Sequence, residues 1–86
     1  MDMYRIEWKP SALKELTHID RHAIPRIIQT VERLSKNPFP CGFRRLQGIE
    51  HTYRIRVGEY RIVYQVVKNR LIVTIVRVRH RKDAYR

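Results

Sequence analysis

Arginines at positions 54, 56 and 61 sit in the stretch TYRIRVGEYRIVYQ, residues 52–65, each flanked by uncharged or apolar neighbours. A two-residue turn at Gly58-Glu59, of the II′ type with glycine first, pairs Val57 with Tyr60 and sets Arg56 opposite Arg61. Period-two alternation then places Tyr53, Ile55, Val57, Tyr60, Ile62 and Tyr64 on one face and Arg54, Arg56 and Arg61 on the other. A longer loop would slip the register by one residue and move Arg61 to the face opposite Arg54 and Arg56. Opposed guanidinium groups repel unless an anion lies between them. The cluster is either a solvated face, screened by salt over about 8 Å, or a phosphate site. The planar fork of arginine, which grips phosphate bidentately, favours the second.

A second concentration of charge closes the chain, where Arg77, Arg79, Arg81 and Lys82 surround His80. His80 is the ordinary proton-transfer candidate of that cluster near neutral pH, although a lone histidine is more often structural. Tyr85 either offers a stacking surface for a base or folds back on the sheet. Arg44 and Arg45 add two more cations. With Arg77, Arg79 and Lys82 they are expected to contact RNA, if RNA is the anion.

The whole composition agrees. The 86 residues carry a formal charge of +11 and a pI near 10.7, and fourteen of the nineteen basic residues are arginine. Residues 1–43 contain seven basic and five acidic side chains, whereas residues 44–86 contain twelve and three. A polyanion is the expected partner and the C-terminal half its surface, an acidic protein being the alternative. The length implies one domain spanning residues 1–86.

Other chemistries are poorly supplied. Cys41 is the only cysteine, so neither an internal disulfide nor a Cys-based zinc site can form, as fits a reducing cytoplasm. No apolar run reaches the roughly 18 residues needed to span a bilayer, and MDMYRIEWKP resembles no export signal, so no membrane partner is expected. HExxH, P-loop and GxGxxG patterns are missing, and Ser11 and Ser35 have no His/Asp partners at useful spacing. His18 and His22 are four apart, but a helix start at Asp20 separates them, so no metal site is expected.

The elements that must position these residues can be read in order. Residues 3–8, MYRIEW, alternate as a strand, with Tyr4, Ile6 and Trp8 inward. Lys9-Pro10-Ser11 opens a short helix ending before His18. Asp20 can cap a second helix, in which Ile24, Ile27, Ile28, Val31 and Leu34 form the apolar stripe before Lys36. The breakers Asn37-Pro38-Phe39-Pro40-Cys41-Gly42 follow, then strands near 52–57, 60–67 and 71–79, with a turn around Lys68-Asn69-Arg70. The expected fold is α+β: an N-terminal strand and a two-helix hairpin packed on one face of a small antiparallel sheet of about four strands.

The run LQGIEHTYRIRVGEYRIVYQVVKNRLIVTIVRVRHRKDAYR resembles the RelE family of toxin–antitoxin ribonucleases, within the RelE/ParE superfamily. Its specific parts are Leu46-Gln47-Gly48, the YRIRVGEYRIVY hairpin and the terminal HRKDAYR. The resemblance implies a RelE-like fold and cleavage of messenger RNA in the ribosomal A site. There the substrate's own 2′-hydroxyl attacks the adjacent phosphate and leaves a cyclic phosphate, with no metal or cofactor. It further implies a cognate RelB-like, acidic antitoxin and a toxin–antitoxin complex bound to operator DNA. The family's basic positions fall on Arg54, Arg56, Arg61 and Arg81, its C-terminal tyrosine on Tyr85, and the histidine of YoeB-type relatives near His80. Well-studied members carry lysine where this chain has Arg54 and Arg56, and arginine does not act as a base. Two alternatives stand beside this reading: a ParE-like gyrase inhibitor, which needs no arginine cluster, and a non-catalytic basic homologue that only binds RNA or the ribosome.

Overall fold

The computed structural model describes residues 3–82. Its elements are β1 (Arg5–Trp8), α1 (Pro10–Thr17), α2 (Ile24–Lys36), β2 (Arg44–Arg45), β3 (Thr52–Val57), β4 (Tyr60–Val67) and β5 (Ile72–His80). The sheet has five strands in the order β1-β5-β4-β3-β2. All neighbours are antiparallel except β1, which lies parallel to β5 with Arg5 beside Ile72 and Trp8 beside Ile75. The expected antiparallel sheet of about four strands therefore gains one strand and one parallel pair. The added strand, β2, is two residues long and too short to show a period in the sequence. The parallel pair reflects the long connection between β1 and β5, since only a crossover can bring parallel strands together.

Helix α2 forms because Pro25 falls in its first turn, where the missing N–H is an orphan anyway. Asp20 does not cap it. The Asp20 carboxylate accepts the His22 N–H at 2.9 Å in the preceding turn, and Ala23 stands at the cap position. The stripe Ile27, Val31 and Leu34 is buried, each residue contributing about 1.5–3 kcal/mol. Ile28, expected on that stripe, lies past its edge and is 38% exposed. Opposite these residues pack Tyr53, Ile55, Val57, Ile62, Tyr64, Val73, Ile75 and Val78 from the sheet. The fully buried Tyr64 donates its hydroxyl to the Pro38 carbonyl at 2.7 Å, anchoring the proline-rich loop. Phe39 and Phe43 of that loop meet the Tyr53 ring at 5.0 and 5.9 Å.

Helix α1 has a different task. Pairing of β1 with β5 ends at the bond from Lys9 N–H to the Ile75 carbonyl (3.0 Å), beyond which β5 has no strand on that edge. Glu15 of α1 fills the gap: one carboxylate oxygen accepts the Val78 N–H at 3.0 Å and the other accepts Arg79 Nε at 2.7 Å. An edge donor and a cation are thus satisfied by one side chain.

Glu15→Ala is expected to destabilise the fold by about 1–2 kcal/mol in urea denaturation, and Glu15→Gln by less, because an amide oxygen still accepts from Val78. Burial, with a smaller contribution from Tyr53, pushes the Tyr64 phenol well above its ordinary value of 10.0. Its stabilisation is complete below pH 10 and erodes above it, where the unfolded phenol ionises first. Tyr64→Phe should therefore flatten the fall of the urea midpoint above pH 10 relative to wild type.

Candidate nucleic-acid interface

The β3–β4 hairpin has the tight-turn register. Gly58 takes φ +59° and Glu59 remains at negative φ, as a II′ turn requires. Val57 pairs with Tyr60, Arg56 with Arg61, Ile55 with Ile62 and Arg54 with Val63. The slipped alternative does not occur. Tyr53, Ile55, Val57, Ile62 and Tyr64 are buried under α2, which commits Arg54, Arg56 and Arg61 to the opposite face.

Strand β5 extends that face by breaking its own alternation. Tyr64 pairs with Ile75 and Val63 with Arg77, so Val76 is an extra residue in a β-bulge. Val73 and Ile75 are inward before the bulge and Val78 is inward after it, a change of phase by one residue. Uninterrupted alternation would turn Arg77 and Arg79 toward the core. The bulge instead sets Arg77 beside Val63 and Arg79 beside Arg61. On the other flank Arg44 pairs with Arg54. Arg44, Arg54, Arg56, Arg61, Arg77 and Arg79 therefore share one face. The sequence signal for the bulge is the Ile75-Val76 doublet, which interrupts the alternation.

That face is concave. A groove of about 970 Å³ runs across it, walled by Arg45, Arg54, Arg61, Arg77 and Arg79 and rimmed by Leu46, Gln47 and Ile49. Its described wall contains no carboxylate. Arg61, at the centre, is only 8% exposed, so its charge acts across a short, partly dehydrated distance. A smaller adjoining recess is lined by Gly42, Arg44, Arg54 and Arg56. Gly48, with φ +82°, turns the rim of the larger groove, a conformation that side-chain-bearing residues seldom adopt.

The remaining candidates are distributed around the end of β5. Arg81 is fastened to the hairpin turn twice, by its N–H to the Glu59 carbonyl and by Nε to the Glu59 carboxylate, both at 2.8 Å. Lys82 is exposed. His80 pairs with Tyr60, their rings edge-on at 5.4 Å, and so projects from the face opposite Arg61 and Arg79. Its Nδ1 accepts the Lys82 N–H at 3.2 Å, which leaves the proton of the neutral ring on Nε2. Tyr85 lies outside the described residues. Two site features escaped the sequence reading: Glu15 and Glu59, which hold Arg79 and Arg81 from elements distant in the chain or in a turn. Among the described residues no three His, Cys, Asp or Glu side chains converge as a metal site would need, and no helix is long and apolar enough to cross a membrane.

Comparison with known proteins places this arrangement. Residues 6–85 match the family model of the ParE toxin of type II toxin–antitoxin system, parDE. The chain is 35% identical over 77 residues to Toxin RelE3 of Methanocaldococcus jannaschii, covering 85% of each protein. It is 30% identical over 88 residues to Toxin RelG of Mycobacterium tuberculosis, covering 96% of this chain and 97% of that one. The toxin fold recurs in the archaeal RelE-RelB complex from Pyrococcus horikoshii OT3, with a TM-score of 0.81 at 24% identity, over 92% of this chain and 96% of that one. It recurs in the RelB-RelE antitoxin-toxin complex from Methanococcus jannaschii, with a TM-score of 0.77 at 28% identity, over 92% and 94%. The chain belongs to the RelE/ParE family of type II toxin–antitoxin systems and is a RelE-family toxin.

Proposed function

We propose that this toxin is a ribosome-dependent endoribonuclease that cuts messenger RNA in the A site. The observation that carries the reading is the groove wall, where five arginines meet and no described carboxylate lies in the lining, Glu15 reaching Arg79 from outside it. In the reaction the 2′-oxygen forms a bond to the adjacent phosphorus, the bond from phosphorus to the 5′-oxygen breaks, and the products are a 2′,3′-cyclic phosphate and a 5′-hydroxyl. One proton leaves the attacking hydroxyl and one reaches the departing oxygen. The negative charge that grows on the pentacovalent phosphorus is what fixed cations stabilise best, most strongly beside the buried Arg61. Arg54, Arg56, Arg61 and Arg81 have that role. They stay charged near neutral pH, so they hold and stabilise rather than take the proton. His80 is the group that delivers a proton from Nε2 to the leaving oxygen, acting as the imidazolium, which forms when Nδ1 takes up a proton in place of the Lys82 N–H bond. Arg44, Arg45, Arg77, Arg79 and Lys82 grip the flanking phosphates, and Tyr85 stacks on a base.

The same groove explains the rest of the system. A cationic concavity must be covered when the toxin is idle, and an acidic RelB-like antitoxin segment supplies the complementary charge. Support comes from the RelE-RelB assemblies that share this fold. The complex of the two proteins is proposed to bind operator DNA, in the cytoplasm.

Translation with purified ribosomes tests the reading. Wild type should cut the message at the A site, and single-turnover rates should fall about 10²-fold or more for Arg56→Ala and for His80→Ala. His80→Gln should fare no better than His80→Ala, because an amide transfers no proton. An intact message together with inhibited DNA gyrase would overturn the proposal in favour of ParE-type action, and RNA binding without cutting would favour a non-catalytic homologue.

A further inference from the structure

The back of β5 carries a second concavity that the proposed reaction leaves mostly unused. It measures about 880 Å³ and lies between α1 and the end of β5, lined by Lys9, Ser11, Lys14, His18, Tyr60 and His80. Val76, Arg77 and Arg79 wall both this cleft and the arginine groove, so the two concavities meet across the edge of one strand. Among the described residues Glu15 is the only carboxylate lining the cleft, and both its oxygens are engaged by Val78 and Arg79. We infer that this cleft is a second RNA-phosphate site, holding the strand that leaves the arginine groove after crossing β5 at Arg77 and Arg79.

The donors suit a phosphodiester. Lys9 and Lys14 are exposed and supply mobile ammonium groups, and the Ser11 hydroxyl lies between them along the helix. The two histidines are held in opposite tautomers. His80 has Nδ1 occupied as an acceptor and presents Nε2–H as a donor. His18 donates Nδ1–H to the Lys14 carbonyl at 2.8 Å, which leaves Nε2 of the neutral ring an acceptor, so the cleft's donors to phosphate are Lys9, Lys14, Ser11 and His80. An amphipathic antitoxin helix would need an apolar trough. This cleft offers Ile19, Val76, Val78 and Tyr60 dispersed among Ser11 and cationic or imidazole-bearing neighbours, Lys9 and Lys14 foremost, which fits a charged polymer better.

The inference rests on the groove being the place where RNA enters, so the test must separate the two sites. Uncleavable 2′-O-methyl RNAs of 5 and 15 nucleotides, fluorescently labelled, are titrated with the toxin over a range of salt. For the 15-mer, Lys9→Ala/Lys14→Ala should weaken binding about tenfold at low salt. It should also lower the slope of log affinity against log salt by about 1.4, the share of two phosphate contacts on a single strand. The 5-mer, which fills only the groove, should be unaffected. Arg54→Ala/Arg56→Ala should weaken both lengths. If the lysine variant leaves the 15-mer slope unchanged while the arginine variant lowers it, the cleft proposal fails and the groove stands. If the arginine variant changes neither length while the lysine variant still weakens the 15-mer, the groove reading fails and the cleft stands alone. Charge reversal at Lys14, as Lys14→Glu, must deepen the loss for the 15-mer, with thermal melting confirming an intact fold. A lysine variant that instead binds an acidic peptide more weakly, with RNA unaltered, would overturn the assignment.

Discussion

Everything in this molecule depends on one constraint: a strand has two faces, and α2 covers only one of them. Once Ile27, Val31 and Leu34 demand apolar partners, Tyr53, Ile55, Val57, Ile62 and Tyr64 are drawn inward and every intervening side chain is driven outward. Like charges directly across a sheet oppose its formation. Arg56, Arg61 and Arg79 nevertheless stand side by side on three consecutive strands. Hydrophobic burial on the covered face, roughly 25 cal/mol for each Å² of apolar surface, provides the stabilisation that lets the open face keep its repulsion. Glu15 offsets part of that repulsion by pairing with Arg79.

The bulge at Val76 multiplies this effect. Without the extra residue β5 would present Arg77 and Arg79 to the core, where an unpaired guanidinium costs several kcal/mol. With it, the strand buries Val78 and adds two arginines to the groove. One irregularity therefore serves both packing and charge. The two carboxylates that intrude do so at the margins. Glu15 closes the edge of β5 while holding Arg79, and Glu59 ties Arg81 to the hairpin turn. These are tethers that restrict where a guanidinium can go, which would lower the ordering cost of the proposed phosphate contacts.

His80 stands apart from the arginines for the same geometric reason that gathers them. It follows Arg79 by one residue and so takes the other side of the strand, against Tyr60. At the end of a strand this separation is only the thickness of the backbone, and a flexible RNA chain can pass around it. The arrangement makes the β5 terminus a ridge with charge on both slopes, where the proposed proton donor and the arginine face are neighbours without being coplanar.

How much of this was legible beforehand differs from element to element. The hairpin was legible in full, because alternation, a glycine at the first turn position and paired apolar residues are local and mutually consistent. The stripe of α2 was legible too, apart from Ile28 at its margin. Short strand β2 was not, since two residues contain no period, and Asp20 bonds its own turn although its residue type suits a helix cap. By itself the sequence determined the chemistry: fourteen arginines, their placement in the C-terminal half, the hairpin register and a histidine beside the last strand. Only the tertiary structure decided which arginines join Arg54, Arg56 and Arg61 on their face, which are tethered by Glu15 and Glu59, and which side of the sheet His80 occupies. Those choices hang on a bulge, marked locally only by the Ile75-Val76 doublet, and on contacts between residues as much as 64 positions apart, which leave no mark in local periodicity.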